Sequence, residues 1–199
     1  MKTFRFGMGT WIFAFLILVP SLLTGGEATN QLSATIDGFV PIITNTSSAE
    51  LQASGLPESA RKLVLARFDF SEMTRRSLGR HWNSLNQGEQ NQFVEAFTQW
   101  QLLYYGKTVR SSRGEKVQFK REVQDGKDAY VQTRIVARYG GELPIDYWLH
   151  NVNGQWKVYD MVIDQVDLAW NFRAQFERVI AKSSLKALLQ RVKDQNPRA

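Results

Sequence analysis

KVQFKREVQDGKDAYVQTRIVARYGGELPIDYWLHNVNGQWKVYDMVI, residues 116–163, decides the fold. Apolar and polar side chains alternate here with a period of two, as in strands that cover one face. Val117, Phe119 and Val123 alternate with Lys116, Gln118, Lys120 and Glu122 until Asp125-Gly126 supplies a hairpin signal. Ala129, Val131, Thr133, Ile135, Ala137 and Tyr139 share the next apolar face, and Gly140-Gly141 turns the chain. Leu143, Ile145, Tyr147 and Leu149 follow, then a third turn at Asn153-Gly154. The last strand, Trp156 to Ile163, is apolar on both sides: Trp156, Val158 and Val162 on one, Tyr159, Met161 and Ile163 on the other. The stretch predicts a four-stranded antiparallel meander whose final strand is covered twice.

Helical periodicity lies on both sides of the meander. Downstream, Asp167 is placed to cap a helix from Leu168 to about Ala181, with Leu168, Phe172, Phe176, Val179 and Ile180 on its apolar face. Ser184 opens a final helix through Leu185, Leu188, Leu189 and Val192. Upstream, Asn86 caps the longest helix, Gln87 to Tyr105, striped by Phe93, Phe97, Trp100 and Tyr104. Before it the sequence predicts a short helix capped by Ser71 and ended by Gly79, and one opened by Pro57. It also predicts a loop or ragged helix end over Thr44 to Ser54, and a first helix, Gln31 to Ile43, interrupted by Pro41. Helices, a meander, then helices give an α+β fold with helices packed on a twisted four-stranded antiparallel sheet.

Residues 1–28 read as an export leader. Lys2 and Arg5 precede the apolar run Trp11 to Val19, Pro20 breaks it, and Gly26 and Ala28 fit the −3 and −1 positions of a cut after Ala28. The run is shorter than the ~20 residues a bilayer span needs. The expected product is one domain, residues 29–199, exported to the periplasm. Its formal charge falls from +6 to +5, because the cut removes Lys2, Arg5 and Glu27. The remaining basic residues are scattered and accompany no nucleic-acid-binding motif, so no nucleic-acid partner is expected.

Composition excludes much chemistry. The chain of 199 residues has no cysteine and two histidines, His81 and His150. Disulfides, thiolate zinc sites, iron–sulfur clusters and a thiol nucleophile are thereby excluded. No Gly-rich phosphate loop follows the leader, and no Gly-x-Ser-x-Gly elbow occurs. Asp160, Asp164 and Asp167 lack EF-hand spacing and read as caps and surface carboxylates, so neither metal nor cofactor is expected. What remains is an excess of large apolar groups on facing surfaces. They fit a filled core and a lined cavity equally, since both require the same residue types.

Several blocks resemble a known family. Phe68-Asp69-Phe70-Ser71-Glu72-Met73 and Leu78-Gly79-Arg80-His81-Trp82 resemble the "FDF..M …LG..W" segment of the MlaC family, also called the toluene-tolerance or ABC-transporter auxiliary-component family. Gln90 to Phe97 with Tyr105, then Asp146-Tyr147, Trp156 to Met161, and Asn171-Phe172-Arg173 with Phe176 are similar to its later blocks, in order. The resemblance spans about Leu32 to Leu189. One departure stands out: the chain reads Gln165-Val166-Asp167 where the family usually has Gly-Val-Ser. Asp serves as well as Ser for capping, whereas Gln for Gly bears on the geometry of that turn.

The resemblance implies a periplasmic carrier that holds phospholipid in an apolar cavity between helices and sheet. It also implies exchange with an inner-membrane ABC transporter bearing an MCE domain, and with an outer-membrane lipoprotein–porin complex. On that reading Phe97, Trp100 and Tyr104 line the helix wall, and Ile135, Ile145, Tyr147 and Val162 line the sheet wall. Val166 and Phe172 stand at the mouth, and Arg138 or Arg173 either meets a head-group phosphate or is solvated. A hopanoid or other isoprenoid lipid is an alternative cargo. The alternative function, an enzyme of the ketosteroid-isomerase kind, needs an acid–base pair in the cavity, for which Asp146 with Tyr104 or His81 is the candidate.

Overall fold

A computed structural model describes residues 25–109, 116–136 and 141–194, without the side chains of 52–54 and 104–109. The elements run α1 (Glu27–Asn45), α2 (Ser48–Ser54), α3 (Glu58–Arg67), α4 (Phe70–Leu78), a 3-10 turn (Gly79–Ser84) and α5 (Gln87–Val109). The sheet follows as β1 (Lys116–Asp125), β2 (Asp128–Val136), β3 (Glu142–Val152), β4 (Gln155–Ile163) and β5 (Val166–Asp167). The chain closes with α6 (Leu168–Lys182) and α7 (Leu185–Asp194). The strands lie in sequence order, each antiparallel to the next. The sheet therefore has five strands rather than the expected four. Asp164 and Gln165 fold the chain back, and Val166 and Asp167 pair with Ile163 and Val162 before α6 begins.

Capping chemistry sets several helix starts. Asn86 and Glu89 form a reciprocal box: the Glu89 N–H donates to Asn86 Oδ1 at 3.0 Å and the Asn86 N–H to Glu89 Oε2 at 2.9 Å. Asp167 Oδ1 accepts from the Trp170 N–H at 2.7 Å, and Ser184 Oγ from the Ala187 N–H at 3.1 Å. Asp69, not Ser71, caps α4, accepting from the Glu72 N–H at 2.9 Å. The Asp69 N–H also donates to the Val158 carbonyl at 2.8 Å, so the cap is tied to the edge of β4. Pro41 does not end α1, which continues to Asn45. Ile43 beyond it is buried with Leu51 and Ala60, and this contact holds the last turn despite the missing N–H. Leu51 belongs to α2, a helix capped by Ser47 within the stretch expected to be loop or ragged.

Two bulges reset the faces of the sheet. Along β1–β2, Phe119 pairs with Thr133 but Arg121 pairs with Gln132, leaving Lys120 as the extra residue. Glu122 therefore turns to the inner face opposite Val131, and Val123, expected inside, is 42% exposed. Along β3–β4, Trp148 pairs with Asp160 and Leu149 with Val158, so Tyr159 is extra. Met161 and Ile163 join Trp156 and Val158 on the inner face, and Val162 moves to the outer one. A shift of one residue exchanges the faces because the side-chain period is two.

Two principal cores result. The sheet-side core sets Ala28, Leu32 and Ile36 of α1 against Ala129, Val131, Ile145, Leu149, Val158 and Met161. The helical core gathers Leu78, Phe93, Phe97, Phe172, Phe176, Leu188 and Val192. Leu168, the first residue of α6, packs against both.

Candidate functional site

The expected helix wall is built from α5 and α6. Phe97, 1% exposed, meets Phe172 edge-on at 5.1 Å, Phe176 at 5.3 Å and Trp100 in a stack at 5.6 Å. Trp100 also meets Phe172 edge-on at 5.2 Å. Helical spacing explains the set: Phe172 and Phe176 lie four residues apart, and Phe97 and Trp100 three apart, on faces turned to each other. Each such ring pair is worth about 0.5–1.5 kcal/mol beyond its burial. Phe172, expected at a mouth, is 8% exposed and sits inside this cluster. The Tyr104 side chain lies outside the described residues.

The expected sheet wall is a separate surface. Ile145 and Tyr147 are buried on the inner face, with Ile135 packed beside them. Thr133 donates its hydroxyl to the Ile145 carbonyl at 2.7 Å, which satisfies the polar group within this apolar row. Burial pushes the Tyr147 phenol up to about 12, so it stays neutral across the physiological range. Val162 does not belong to this wall: it pairs with Asp146, out of phase with Ile145 and Tyr147. The structure thus groups Phe97, Trp100 and Phe172 in one core and Ile135, Ile145 and Tyr147 in the other, with Leu168 between them.

Where β4, β5 and α6 meet, an apolar rim is exposed. Val166 is 46% exposed and Trp170, three residues after Asp167, is 69% exposed. Trp170 is a large apolar group that the sequence reading missed; its place one turn into a helix, off the Phe172–Phe176 stripe, is the signal that marks it. The turn leading to Val166 has both central residues in the left-handed region, Asp164 at φ 47° and Gln165 at φ 68°. Gln165 therefore keeps the conformation that glycine adopts most readily. Behind the rim, Asp160 accepts from the Met161 and Ala169 N–H groups at 2.8 and 3.2 Å. It is 5% exposed, and burial, reinforced by Asp167, pushes its carboxyl up to about 6.

Arg173, Asp146 and His81 are engaged elsewhere. Arg173 donates through Nε and a terminal nitrogen to the Arg76 carbonyl at 3.1 and 2.8 Å, clamping α6 to the end of α4. The clamp needs Gly79, where a Cβ would stand 2.8 Å from Arg173 Nε. Arg138 lies outside the described residues. Asp146 accepts from the Tyr130 hydroxyl at 2.6 Å and pairs with Arg134 at 3.3 Å on the outer face. His81 pairs with Glu177 at 3.1 Å, beside Arg80 at 2.9 Å from the same oxygen. Asp146 and His81 thus have separate partners on separate elements and form no acid–base pair.

Two open clefts flank these cores. One, of about 390 Å³, is lined mainly by Leu65, Phe68, Phe70, Val94, Thr98 and Val152. The other, of about 570 Å³ between α6 and α7, carries Arg178, Lys182 and Arg191 around Val179 and Ala187.

The MlaC protein family matches residues 34–194, which takes in every strand and all but the first turns of the helical part. The chain belongs to the MlaC family. A curated relative, the toluene tolerance protein ttg2D of Pseudomonas putida, is 26% identical over 89 residues, covering 44% of this chain and 41% of the relative. Among solved structures, the phospholipid-binding protein from Ralstonia solanacearum, determined in complex with a phospholipid, superposes with a TM-score of 0.75 at 22% identity. That superposition covers 86% of this chain and 97% of the other, so the MlaC chain described here shares that fold over nearly its whole extent.

Proposed function

We propose that this MlaC-family chain is a phospholipid carrier of the periplasm and not an enzyme. The observation that carries the reading is the shared fold: almost all of a protein solved with phospholipid bound superposes on it, within a family match that covers the folded part. The apolar rim of Val166 and Trp170, on either side in sequence of Leu168, which packs against both cores, gives lipid tails a place to enter.

The energetics suit a passive carrier. Two acyl chains with ~30 methylenes hide on the order of 25 kcal/mol from water, at ~0.8 kcal/mol each. Transfer from a bilayer to a protein interior is nearly neutral, because both environments are apolar. Net transport then requires partners that distinguish loaded from empty protein. An inner-membrane ABC transporter with an MCE domain and an outer-membrane lipoprotein–porin complex are the proposed partners.

Val166→Glu tests the reading. A carboxylate at the rim meets the tails, and since Val166 is 46% exposed the substitution leaves the fold intact. Native mass spectrometry of detergent-free protein is expected to show lipid bound to the parent chain and roughly tenfold lower occupancy in the variant, the effect of ~1.4 kcal/mol. The bound mass also separates a phospholipid from an isoprenoid lipid. Full occupancy in the variant removes the rim from the pathway, and a parent chain that never carries lipid removes the carrier reading.

A further inference from the structure

The start of α1 has an unusual cap. Its N-cap residue, Gly26, offers no side chain, and the carboxylate of Glu122 takes that place from across the sheet. The Thr29 N–H, in the first turn, donates to Glu122 Oε2 at 2.8 Å. Gly26 lies so near that a Cβ would stand 2.1 Å from Glu122 Oε1. Only the bulge at Lys120 allows this, since without it Glu122 would face outward. The sheet therefore presents an inward carboxylate beside a mostly apolar face, aimed at the backbone nitrogen of Thr29. Thr29 is also the residue that follows the −3 and −1 small residues Gly26 and Ala28.

We propose that the leader is removed at the Ala28–Thr29 bond and that the new α-ammonium of Thr29 forms an ion pair with Glu122, pinning the mature α1 to β1. The inference rests on the export reading above. A leader peptidase hydrolyses the bond with one water: the C–N bond breaks, Ala28 departs as a carboxylate, and Thr29 gains an amine that takes up a proton. One neutral N–H donor, at a residue 9% exposed in the uncut chain, thereby becomes a charged group with three donors. The cut removes Ala28, whose methyl is buried in the sheet-side core, and the Gly26 carbonyl that accepts from Asn30 at 3.0 Å. The charged pair replaces these as the fixture of the first turn.

Intact mass and N-terminal sequencing of the exported protein test the first half. A chain beginning at Thr29 is expected. A chain beginning at Glu27 overturns the proposal while leaving export standing, whereas a full-length chain overturns the export reading itself. Acetylation of the α-amine with an activated ester near pH 7 tests the second half. Pairing that raises the amine's proton affinity by one pK unit slows labelling about tenfold relative to Glu122→Gln. Equal labelling rates in the two folded proteins overturn the ion pair.

Discussion

Across the sheet, α1 buries Ala28, Leu32 and Ile36 on a mostly aliphatic surface that also holds Tyr147 and Trp156; across α5, Phe97 meets Trp100, Phe172 and Phe176 ring to ring. Aliphatic burial depends on area and hardly on direction, whereas ring pairs depend on centroid distance and tilt. The sheet-side core instead draws its specificity from strand phase, which two bulges and the Thr133 hydrogen bond to Ile145 fix. One region is specified by the shapes of its side chains, the other by the register of its backbone.

Truncation is the strongest way to break that contrast. Phe97→Ala removes three ring contacts at once and is expected to cost about 3–5 kcal/mol in urea unfolding. Ile135→Val, on the sheet side, is expected to cost only about 0.5–1.5 kcal/mol. A loss at Phe97 well below 3 kcal/mol would show that the ring contacts add little to the burial of the side chain.

Asp160, at the join between sheet and α6, gives the next largest effect. Its carboxyl lies at about 6 in the fold against an ordinary value of 3.8. The folded state therefore binds the proton more tightly, and the associated stability is present below the ordinary value and lost as pH rises through 6. Asp160→Asn keeps an oxygen for the Met161 and Ala169 N–H groups without the charge. It is expected to gain on the order of 2 kcal/mol at pH 8 and nothing from this source at pH 3.5. Denaturant midpoints at the two pH values check it; a variant with no pH-dependent gain would mean that the carboxylate is well solvated.

The smallest effect concerns the turn before the rim. Gln165 holds φ 68°, so Gln165→Gly is expected to stabilise by about 1 kcal/mol. A loss in thermal unfolding would show that the Gln165 side chain contributes more than its backbone costs.

The helical region was legible in the sequence because its signals are local. Asn86, Gly79, Asp167 and Ser184 mark helix ends where they stand, and the step from Phe172 to Phe176 announces a buried stripe. The departures from local signals at Ser71 and Pro41 have tertiary causes: Asp69 is drawn to the edge of β4, and Ile43 is held by α2. In the sheet, strand positions and the turns at Gly126 and Gly154 were legible, but facing was not, since an extra residue at Lys120 or Tyr159 leaves no mark in alternating sequence. Val162, Val123 and Glu122 lie on the faces opposite to those the alternation predicts for that reason alone. β5 leaves no signal in the sequence, because two residues carry no period.

The bulge in β1 has one more consequence, for behaviour in a crowded compartment. β1 and β5 are the two outermost strands of the sheet. A long outer strand leaves a row of unused peptide groups onto which another chain can add, the first step towards insoluble fibres. Here one border is interrupted at Lys120, with Lys116 and Arg121 alongside, and the other is only two residues long. Among the described residues, a protein with apolar side chains exposed at Val166 and Trp170 thus offers neighbouring copies no long straight border on which to grow.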